Sequence, residues 1–332
     1  MKRTLAMLLA VLMMGGLVAC GAEETPAPAD PAPAVSDTEA TEPAPVEKQV
    51  INLWSFTDEV PKMVRYYISQ NPEFAEKYEI KETIIATDGG GYQTALDQAL
   101  AAGGEDAPDM YCAEAAFILK YAQGDAAKYA AAYEDLGIDV AAKMKEADIA
   151  QYSADIATYN GKVVGLGYQA TGGAFIYRAS IAEEVFGASD AATVEAAIGA
   201  GTQSWDKFWE AAAQLKAAGY PIVSGDGDIW HAVENSSEKG WIVDGALNID
   251  PNREAFFEIS KKLNDNGWTN KTTDWTDAWY ADMGGTSETP CFGFFGPAWL
   301  LNYTMAGHAE AGNSWGDWRV CTSPVGFFWG GT

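Results

Sequence analysis

Aromatic and acidic side chains recur together in this chain, at the points where apolar, strand-like runs end. The chain contains 12 Trp, 15 Tyr and 13 Phe residues, and many of the Trp residues lie beside Gly, Asp or Pro. Flat aromatic faces cover the C–H groups of sugar rings, while carboxylate and amide groups bond to the hydroxyls. The combination therefore predicts a sugar site. Its candidate ligand-binding residues are Trp54, Ser55, Asp58, Asp88, Tyr92, Glu114, Gln169, Trp230, Trp299 and Trp329.

Each of these side chains also has a purely structural interpretation. Trp residues commonly pack in a core, Asp88 would cap a helix that begins near Tyr92, and His231 would pack or form a hydrogen bond. Asp226 and Asp228 could belong to a calcium loop, but the full loop pattern with its closing Glu is absent. We predict a binding site without a catalytic residue, a metal or a cofactor.

A parallel sheet is predicted for the first part of the folded chain, because strand and helix patterns alternate there. The order is strand 50–54, helix 60–78, strand 80–86, helix 92–102 and strand 108–112. Such strands present their carboxyl ends at one edge, and ligands bind beyond that edge. Trp54, Asp88 and Glu114 follow the three strands and are therefore expected to meet there.

The rest of the chain continues this mixture of helix and strand patterns with longer connections. About 280 residues beyond the N-terminal segment are more natural for two domains than for one. The patterns predict an α/β protein. Helices are predicted at 115–150, 205–218 and 256–264, and strands at 161–166, 174–178, 289–295 and 318–321.

The first twenty residues have the composition of an export signal. Lys2 and Arg3 precede an apolar run at 5–17, which has the length of a signal peptide and is too short to span a bilayer comfortably. Small residues then lead to Cys20, a pattern that resembles the bacterial lipobox, in which the cysteine is lipidated. We expect residues 1–19 to be removed and Cys20 to anchor the chain in the membrane through its acyl chains.

Residues 20–48 are predicted to be a disordered tether behind this lipid anchor. The segment consists largely of Ala, Pro, Glu, Asp and Thr, so it cannot bury enough apolar surface to offset the entropy of ordering. Its prolines keep it extended.

The formal net charge of −26 at pH 7 limits the possible partners. A field of this sign repels nucleic acids and anionic lipid surfaces. It is better suited to a neutral or cationic small molecule.

Three cysteines remain after Cys20, and their spacing is not that of a metal site. Cys112, Cys291 and Cys321 all lie in apolar runs, so we predict buried free thiols. A disulfide between Cys291 and Cys321 is the alternative outside the cytoplasm.

The order of several short segments resembles the family 1 extracellular solute-binding proteins, the sugar-binding components of ABC importers. The resemblance covers the whole chain after the tether. Each segment alone is weakly specific, and it is their joint order behind a lipobox that points to the family. The segments are DGGGYQ at 88–93, AGGEDAPD at 102–109, GKVVGL at 161–166, AFIYR at 174–178, FFGPAW at 294–299 and FWGGT at 328–332.

The resemblance implies a type II periplasmic-binding-protein-like fold, in which hinge crossings join two α/β lobes around a ligand. By analogy, the first lobe comprises 49–112 plus 290–325, and the second comprises 113–289 plus 326–332. Family members usually continue well past Trp329 with helices that complete the second lobe. We therefore expect the C-terminal part of this chain to be truncated.

The function implied by the resemblance is that of a substrate-binding lipoprotein. It would bind a sugar or oligosaccharide as a monomer at the outer face of the bacterial cytoplasmic membrane, close around it, and deliver it to ABC permease subunits. A secreted glycoside hydrolase is the alternative from another class, since it would also be acidic and rich in Trp, but it needs two opposed carboxylates. A sensor lipoprotein that presents the ligand to a membrane receptor is a further alternative.

Overall fold

The computed structural model of the chain describes residues 48–201 and 204–330, apart from the side chain of Asp88. The predicted signal peptide at 1–19, the lipid anchor at Cys20 and nearly all of the predicted tether lie outside the described residues. The described residues belong to one unit, Lys48–Thr332.

Three parallel strands form the first sheet, in the order β2-β1-β3. The parallel pairing and the helix break at Pro72 agree with the prediction, since proline is tolerated where a helix begins. The strands are β1 (Gln49–Ser55), β2 (Tyr78–Ile84) and β3 (Met110–Tyr111). The helices that connect them are α1 (Glu59–Gln70), α2 (Pro72–Lys77) and α3 (Gly91–Ala102), the last preceded by a 3-10 turn at Asp88–Gly90.

A small aromatic core lies between this sheet and the helices that follow it. Helix α3 buries Tyr92, Leu96 and Leu100, which are four residues apart and therefore share one helix face. The Tyr92 hydroxyl donates to the carbonyl oxygen of Cys112 at 2.8 Å and lies 3.4 Å from that of Trp54. Tyr92 therefore ties together the carboxyl ends of β1 and β3.

The segment after β3 packs on this same core, so the predicted lobe boundary at 112/113 was wrong. The rings of Phe117 and Tyr121 lie 6.1 Å and 5.9 Å from those of Tyr92 and Tyr111. We define the first lobe as residues 48–167. Its remaining elements are α4 (Ile118–Ala122), a 3-10 turn at Ala127–Tyr129, α5 (Val140–Glu146), α6 (Gln151–Ile156) and the hairpin of β4 (Thr158–Tyr159) and β5 (Lys162–Val163).

The helix predicted over 115–150 is therefore broken into short pieces. A side chain at Gly124 would meet the backbone of Lys120, and Gly137 has a φ of +80°, which a non-glycine residue rarely adopts. Gly124 therefore follows the end of α4, and Gly137 lies in the turn that precedes α5.

A five-stranded sheet organises the rest of the chain, in the order β10-β7-β11-β6-β12. Strands β7, β10 and β11 are parallel, whereas β6 runs antiparallel to both of its neighbours. We define the second lobe as residues 173–330. The strands are β6 (Gly173–Arg178), β7 (Val223–Gly225), β10 (Thr269–Thr272), β11 (Gly293–Pro297) and β12 (Trp318–Cys321), with a separate hairpin of β8 (Ile242–Val243) and β9 (Ala246–Leu247).

Helices cover this sheet and enclose the larger core, which includes Phe175, Phe208, Phe292 and Phe295. None of the helices within the described ranges combines the length and apolarity needed to cross a membrane. The helices are α7 (Ala179–Phe186), α8 (Ala191–Ile198), α9 (Asp206–Ala217), α10 (Gly227–Asn235), α11 (Pro251–Asn266), α12 (Asp277–Gly284), a π-helix at Leu300–Met305 and α13 (Ala306–Ala311).

The prediction that 290–325 belongs to the first lobe was also wrong. Both strands of that segment, β11 and β12, pair with β6 along its two edges. The cysteines at 112, 291 and 321 are all free, which confirms the prediction of free thiols. Cys291 and Cys321 are buried, whereas Cys112 is half-buried.

We expect the ion pair between Arg178 and Asp317 to stabilise this strand arrangement. Nε of Arg178 lies 2.5 Å from a carboxylate oxygen of Asp317, and only 11% and 20% of the two side chains are exposed. Because Asp317→Ala leaves the arginine half-buried and unpaired, unfolding free energy should fall by about 3 kcal/mol. Chemical denaturation measures this change.

The matched control is Asp135→Ala, which removes an exposed partner of Lys162. It should cost less than about 1 kcal/mol. Equal costs for the two variants would contradict a stabilising role of the ion pair between Arg178 and Asp317.

Candidate functional site

One edge of the five-stranded sheet gathers loops from distant parts of the chain. The carboxyl ends of β7, β10 and β11 lie at this edge, and so does the amino end of the antiparallel β6. The chain that leaves the first lobe through 168–172 therefore enters the second lobe at the same edge. Such an edge is where α/β sheets bind ligands.

Three tryptophans, Trp275, Trp299 and Trp329, form what we call the tryptophan corner. The rings of Trp275 and Trp299 are nearly parallel, at an interplanar angle of 12° and a centroid distance of 5.9 Å. The ring of Trp329 is perpendicular to both, 6.5 Å from Trp275 and 5.5 Å from Trp299. Trp275 is 47% exposed, so the corner offers a large aromatic face to a ligand.

The backbone of Trp275 is held in an unusual conformation. Its φ is +65°, a value that is a genuine outlier for a bulky side chain. Such a conformation costs on the order of 1–3 kcal/mol and tends to occur at functional sites. The ring packs against that of the buried Trp279 at 5.1 Å, which holds it toward the corner.

The other two tryptophans are positioned by the connection at 168–172 and by the start of β6. Ala298 N–H, beside Trp299, donates to the Gly172 carbonyl at 3.0 Å. A side chain on Gly173 would collide with the carbonyl of Trp329. Close backbone approach at Gly173 therefore sets Trp329 next to the point where the chain enters the sheet.

Two buried carboxyl groups lie behind the tryptophan corner. Asp228 has no exposed surface, and one of its oxygens accepts a hydrogen bond from Phe295 N–H at 2.6 Å. Asp274 packs so closely on Gly227 that a side chain there would collide with its carboxyl group. Burial, reinforced by repulsion from Asp274, raises the pKa of Asp228 well above its ordinary value. Burial, followed by repulsion from Asp226, raises the pKa of Asp274 to about 6.

His231 joins the carboxyl groups to the aromatic rings. Its imidazole stacks on Trp329 at 4.3 Å, and Nε2 lies 3.6 Å from a carboxylate oxygen of Asp274. Burial lowers the pKa of His231, so this side chain is neutral at neutral pH. In the described part of the chain, no group of three His, Cys, Asp or Glu side chains is arranged to hold a metal ion.

A second polar cluster lies at the carboxyl ends of β1 and β3 in the first lobe. Ser55 is buried, and burial raises the pKa of the Cys112 thiol beside it. Burial also raises the pKa of Glu114. Glu59 at the start of α1 accepts hydrogen bonds from Tyr168 at 3.0 Å and Gln169 at 2.5 Å, so the connection at 168–172 is held to this cluster.

Five of the predicted site residues lie at these two edges. Trp299 and Trp329 belong to the tryptophan corner of the second lobe. Ser55, Glu114 and Gln169 lie at the polar cluster of the first lobe.

Four other predicted residues have side chains that are engaged in packing or in ion pairs. Tyr92 is fully buried, and Trp230 packs against Trp241 and Phe256 at 6.3 Å and 5.1 Å. Asp58 forms ion pairs with α1, and Trp54 packs on the first-lobe core. Their hydrophobic or charged neighbours explain these positions, and a role for them in ligand binding stays a prediction. The side chain of Asp88 lies outside the described residues.

Trp275, Asp274 and His231 were missed as ligand-binding candidates. The first two follow β10, whose sequence TNKT carries no hydrophobic strand signal. Had that strand been identified, the carboxyl-end rule would have selected both residues. His231 was assigned a packing role, and it does pack, but on a residue of the tryptophan corner.

Two α/β lobes, joined where the chain enters the second sheet, form the architecture of a solute-binding protein. The family model for bacterial extracellular solute-binding proteins matches residues 72–330, and the chain belongs to this family. Both the predicted family and the predicted two-lobed fold class are confirmed. A comparison with curated proteins finds no match.

Solved structures of solute-binding proteins share this fold. A family 1 extracellular solute-binding protein has a TM-score of 0.65 and 22% identity, over 85% of this chain and 69% of that one. The galacto-N-biose-/lacto-N-biose I-binding protein of a Bifidobacterium longum ABC transporter has a TM-score of 0.62 and 18% identity, over 87% and 67%. The GacH receptor of Streptomyces glaucescens has a TM-score of 0.58 and 15% identity, over 84% and 67%.

We expect Asp274→Asn to stabilise the protein in a pH-dependent manner. The folded-state pKa of Asp274, about 6, exceeds its ordinary value of 3.8. The native state therefore binds more protons than the unfolded state, and stability falls as the pH rises from about 4 to 6. The amide removes this loss. The variant should melt several degrees above the wild type at pH 7.5 and near it at pH 4.

Thermal denaturation of both proteins across this pH range measures the effect. Asp135→Asn removes the same charge from the exposed pair with Lys162 and should show no such gain. A melting temperature for Asp274→Asn that is lowered at pH 7.5 would refute a carboxyl group destabilised by burial.

Proposed function

We propose that this protein binds a sugar or oligosaccharide between its two lobes and delivers it to the transmembrane subunits of an ABC importer. The tryptophan corner is the observation that carries the proposal. It places aromatic faces beside buried carboxyl groups, as sugar recognition requires. Two similar structures support it, since those proteins were solved in complex with lacto-N-biose and with acarbose.

The second half of the site would come from the first lobe. Ser55, Glu114 and Gln169 lie where the connection at 168–172 leaves that lobe, and Glu59 holds this connection to α1. A ligand that contacts both lobes would favour the closed arrangement over the open one, because its differential contact supplies the population shift.

The test is a binding screen of the purified protein against mono- and oligosaccharides, by thermal shift and then calorimetry. We expect a rise in melting temperature with at least one saccharide and compaction in solution scattering. The absence of binding to every saccharide would overturn the proposal. Turnover of a chromogenic glycoside would favour the hydrolase alternative instead.

Trp275→Gly should separate binding from stability. Loss of the ring should lower saccharide affinity by at least about tenfold, or 1.4 kcal/mol. Stability should change by no more than about 1 kcal/mol, because glycine relieves the strain at φ +65° and offsets the lost packing. Calorimetry and denaturant titration measure the two quantities.

Lys271→Gly is the matched control. Lys271 lies within β10, just before Trp275 in the chain, and also has a positive φ, +60°. Its side chain carries no aromatic ring. It should gain the backbone relief and retain saccharide binding. Unchanged affinity in Trp275→Gly would remove the tryptophan corner from the site.

The lipid anchor on Cys20 belongs to the same proposal and rests on the sequence pattern alone. A lipid there would keep the binding protein within reach of its permease at the outer face of the membrane. In a bacterial host that processes lipoproteins, Cys20→Ala should abolish labelling by a fatty-acid analogue and shift the protein from the membrane to the soluble fraction. Continued labelling of Cys20→Ala would contradict the assignment.

A further inference from the structure

The charges around the tryptophan corner are unbalanced. Asp226, Asp228 and Asp274 lie at or near its base, and Glu234 acts electrostatically on His231. Among the described residues, the basic side chain that contacts one of these four carboxyl groups is His231, whose Nε2 lies 3.6 Å from Asp274. Burial lowers the pKa of His231, so it brings no positive charge at neutral pH.

Two oxygens of this group have unmet hydrogen-bonding capacity. Oδ1 of Asp228 and Oδ1 of Asp274 are both buried without a hydrogen-bond partner in the described residues. Asp228 is fully buried, and 11% of the Asp274 side chain is exposed. A buried carboxyl oxygen without a partner is costly, and a donor supplied by a ligand would remove this cost.

The rings beside the carboxyl groups suit a cation as well as a sugar ring. Tryptophan faces attract ammonium groups, most strongly where water is excluded. Asp274 directly precedes Trp275, and His231 bridges the carboxyl group of Asp274 and the ring of Trp329. An ammonium group bound at Asp274 would therefore lie within reach of the tryptophan corner.

We propose that the ligand of this site is a saccharide that carries an ammonium group, with the ammonium paired to Asp274 and the sugar ring on the tryptophan corner. The inference rests on the proposed saccharide-binding function and narrows it to amino sugars. Asp274, whose pKa is about 6, carries a negative charge at neutral pH that a single ammonium group would balance.

The experiment compares matched pairs of saccharides that differ in an amino group and a hydroxyl group. The pairs are glucosamine with glucose, galactosamine with galactose, mannosamine with mannose, and the β-1,4-linked glucosamine trimer with cellotriose. Calorimetry at pH 7 and physiological salt gives the affinity ratio within each pair. We expect the amino member of the best pair to bind at least about tenfold more tightly.

Asp274→Asn tests whether this preference arises at the proposed carboxyl group. It should bring the ratio close to one, whatever its effect on the separate affinities. Asp135→Asn, which removes the same charge from the first-lobe surface, should leave the ratio unchanged. The predicted gain in stability of Asp274→Asn provides an independent check that the variant is folded.

The pH dependence provides a second readout. As the pH falls from 7 to 5, Asp274 takes up a proton while the ammonium stays charged, so amino-sugar affinity should fall. The titratable groups that face Asp274 are His231, Asp226 and Asp228. His231→Gln should keep this fall and Asp274→Asn should lose it, which separates Asp274 from His231, while Asp226 and Asp228 are unchanged in both variants.

Two different results would contradict the ammonium assignment and the proposed function separately. Neutral members that bind as tightly as amino members, with the same ratio in Asp274→Asn, would overturn the ammonium assignment and leave saccharide binding intact. Failure of every member of every pair to bind, together with failure of the wider saccharide screen, would overturn the proposed function itself.

Discussion

The antiparallel insertion of β6 between β11 and β12 is the constraint on which the second lobe depends. It brings the amino end of β6 to the same edge as the carboxyl ends of β7, β10 and β11. The connection at 168–172 from the first lobe must then arrive where the loops that follow β7, β10 and β11 begin. Gly173 makes this arrival possible, because the Trp329 carbonyl fills the space of a side chain there.

Burial of Asp228 and Asp274 shows how the site and the stability of the lobe oppose each other. Asp228 accepts a hydrogen bond from β11 and thereby helps to join α10 to the sheet. The same burial raises the pKa of both carboxyl groups, and one oxygen of each has no hydrogen-bond partner among the residues that the structure describes. A fold optimised for stability alone would not retain such a pair, so the arrangement is more readily explained by a ligand than by packing.

Trp275 and Trp279 illustrate why composition alone does not locate a sugar site. They have the same side chain and lie one helical turn apart, yet Trp279 is fully buried and Trp275 is 47% exposed. Trp275 has a positive φ just before α12 begins, whereas Trp279 points into the core from within that helix. The local backbone, rather than the residue type, assigns one ring to the core and the other to the surface.

The sequence by itself determined the α/β class, the family, the parallel first sheet and the bounds of β12, because these depend on hydrophobic periodicity and short motifs that act locally. It also predicted Trp299 and Trp329 as site residues, and both belong to the tryptophan corner. Only the tertiary structure decided that 113–167 joins the first lobe, that 290–325 joins the second, and that Trp275, Asp274 and His231 meet those tryptophans. Strand neighbours and buried charge pairs arise from contacts between residues far apart in the chain, and no local pattern encodes them.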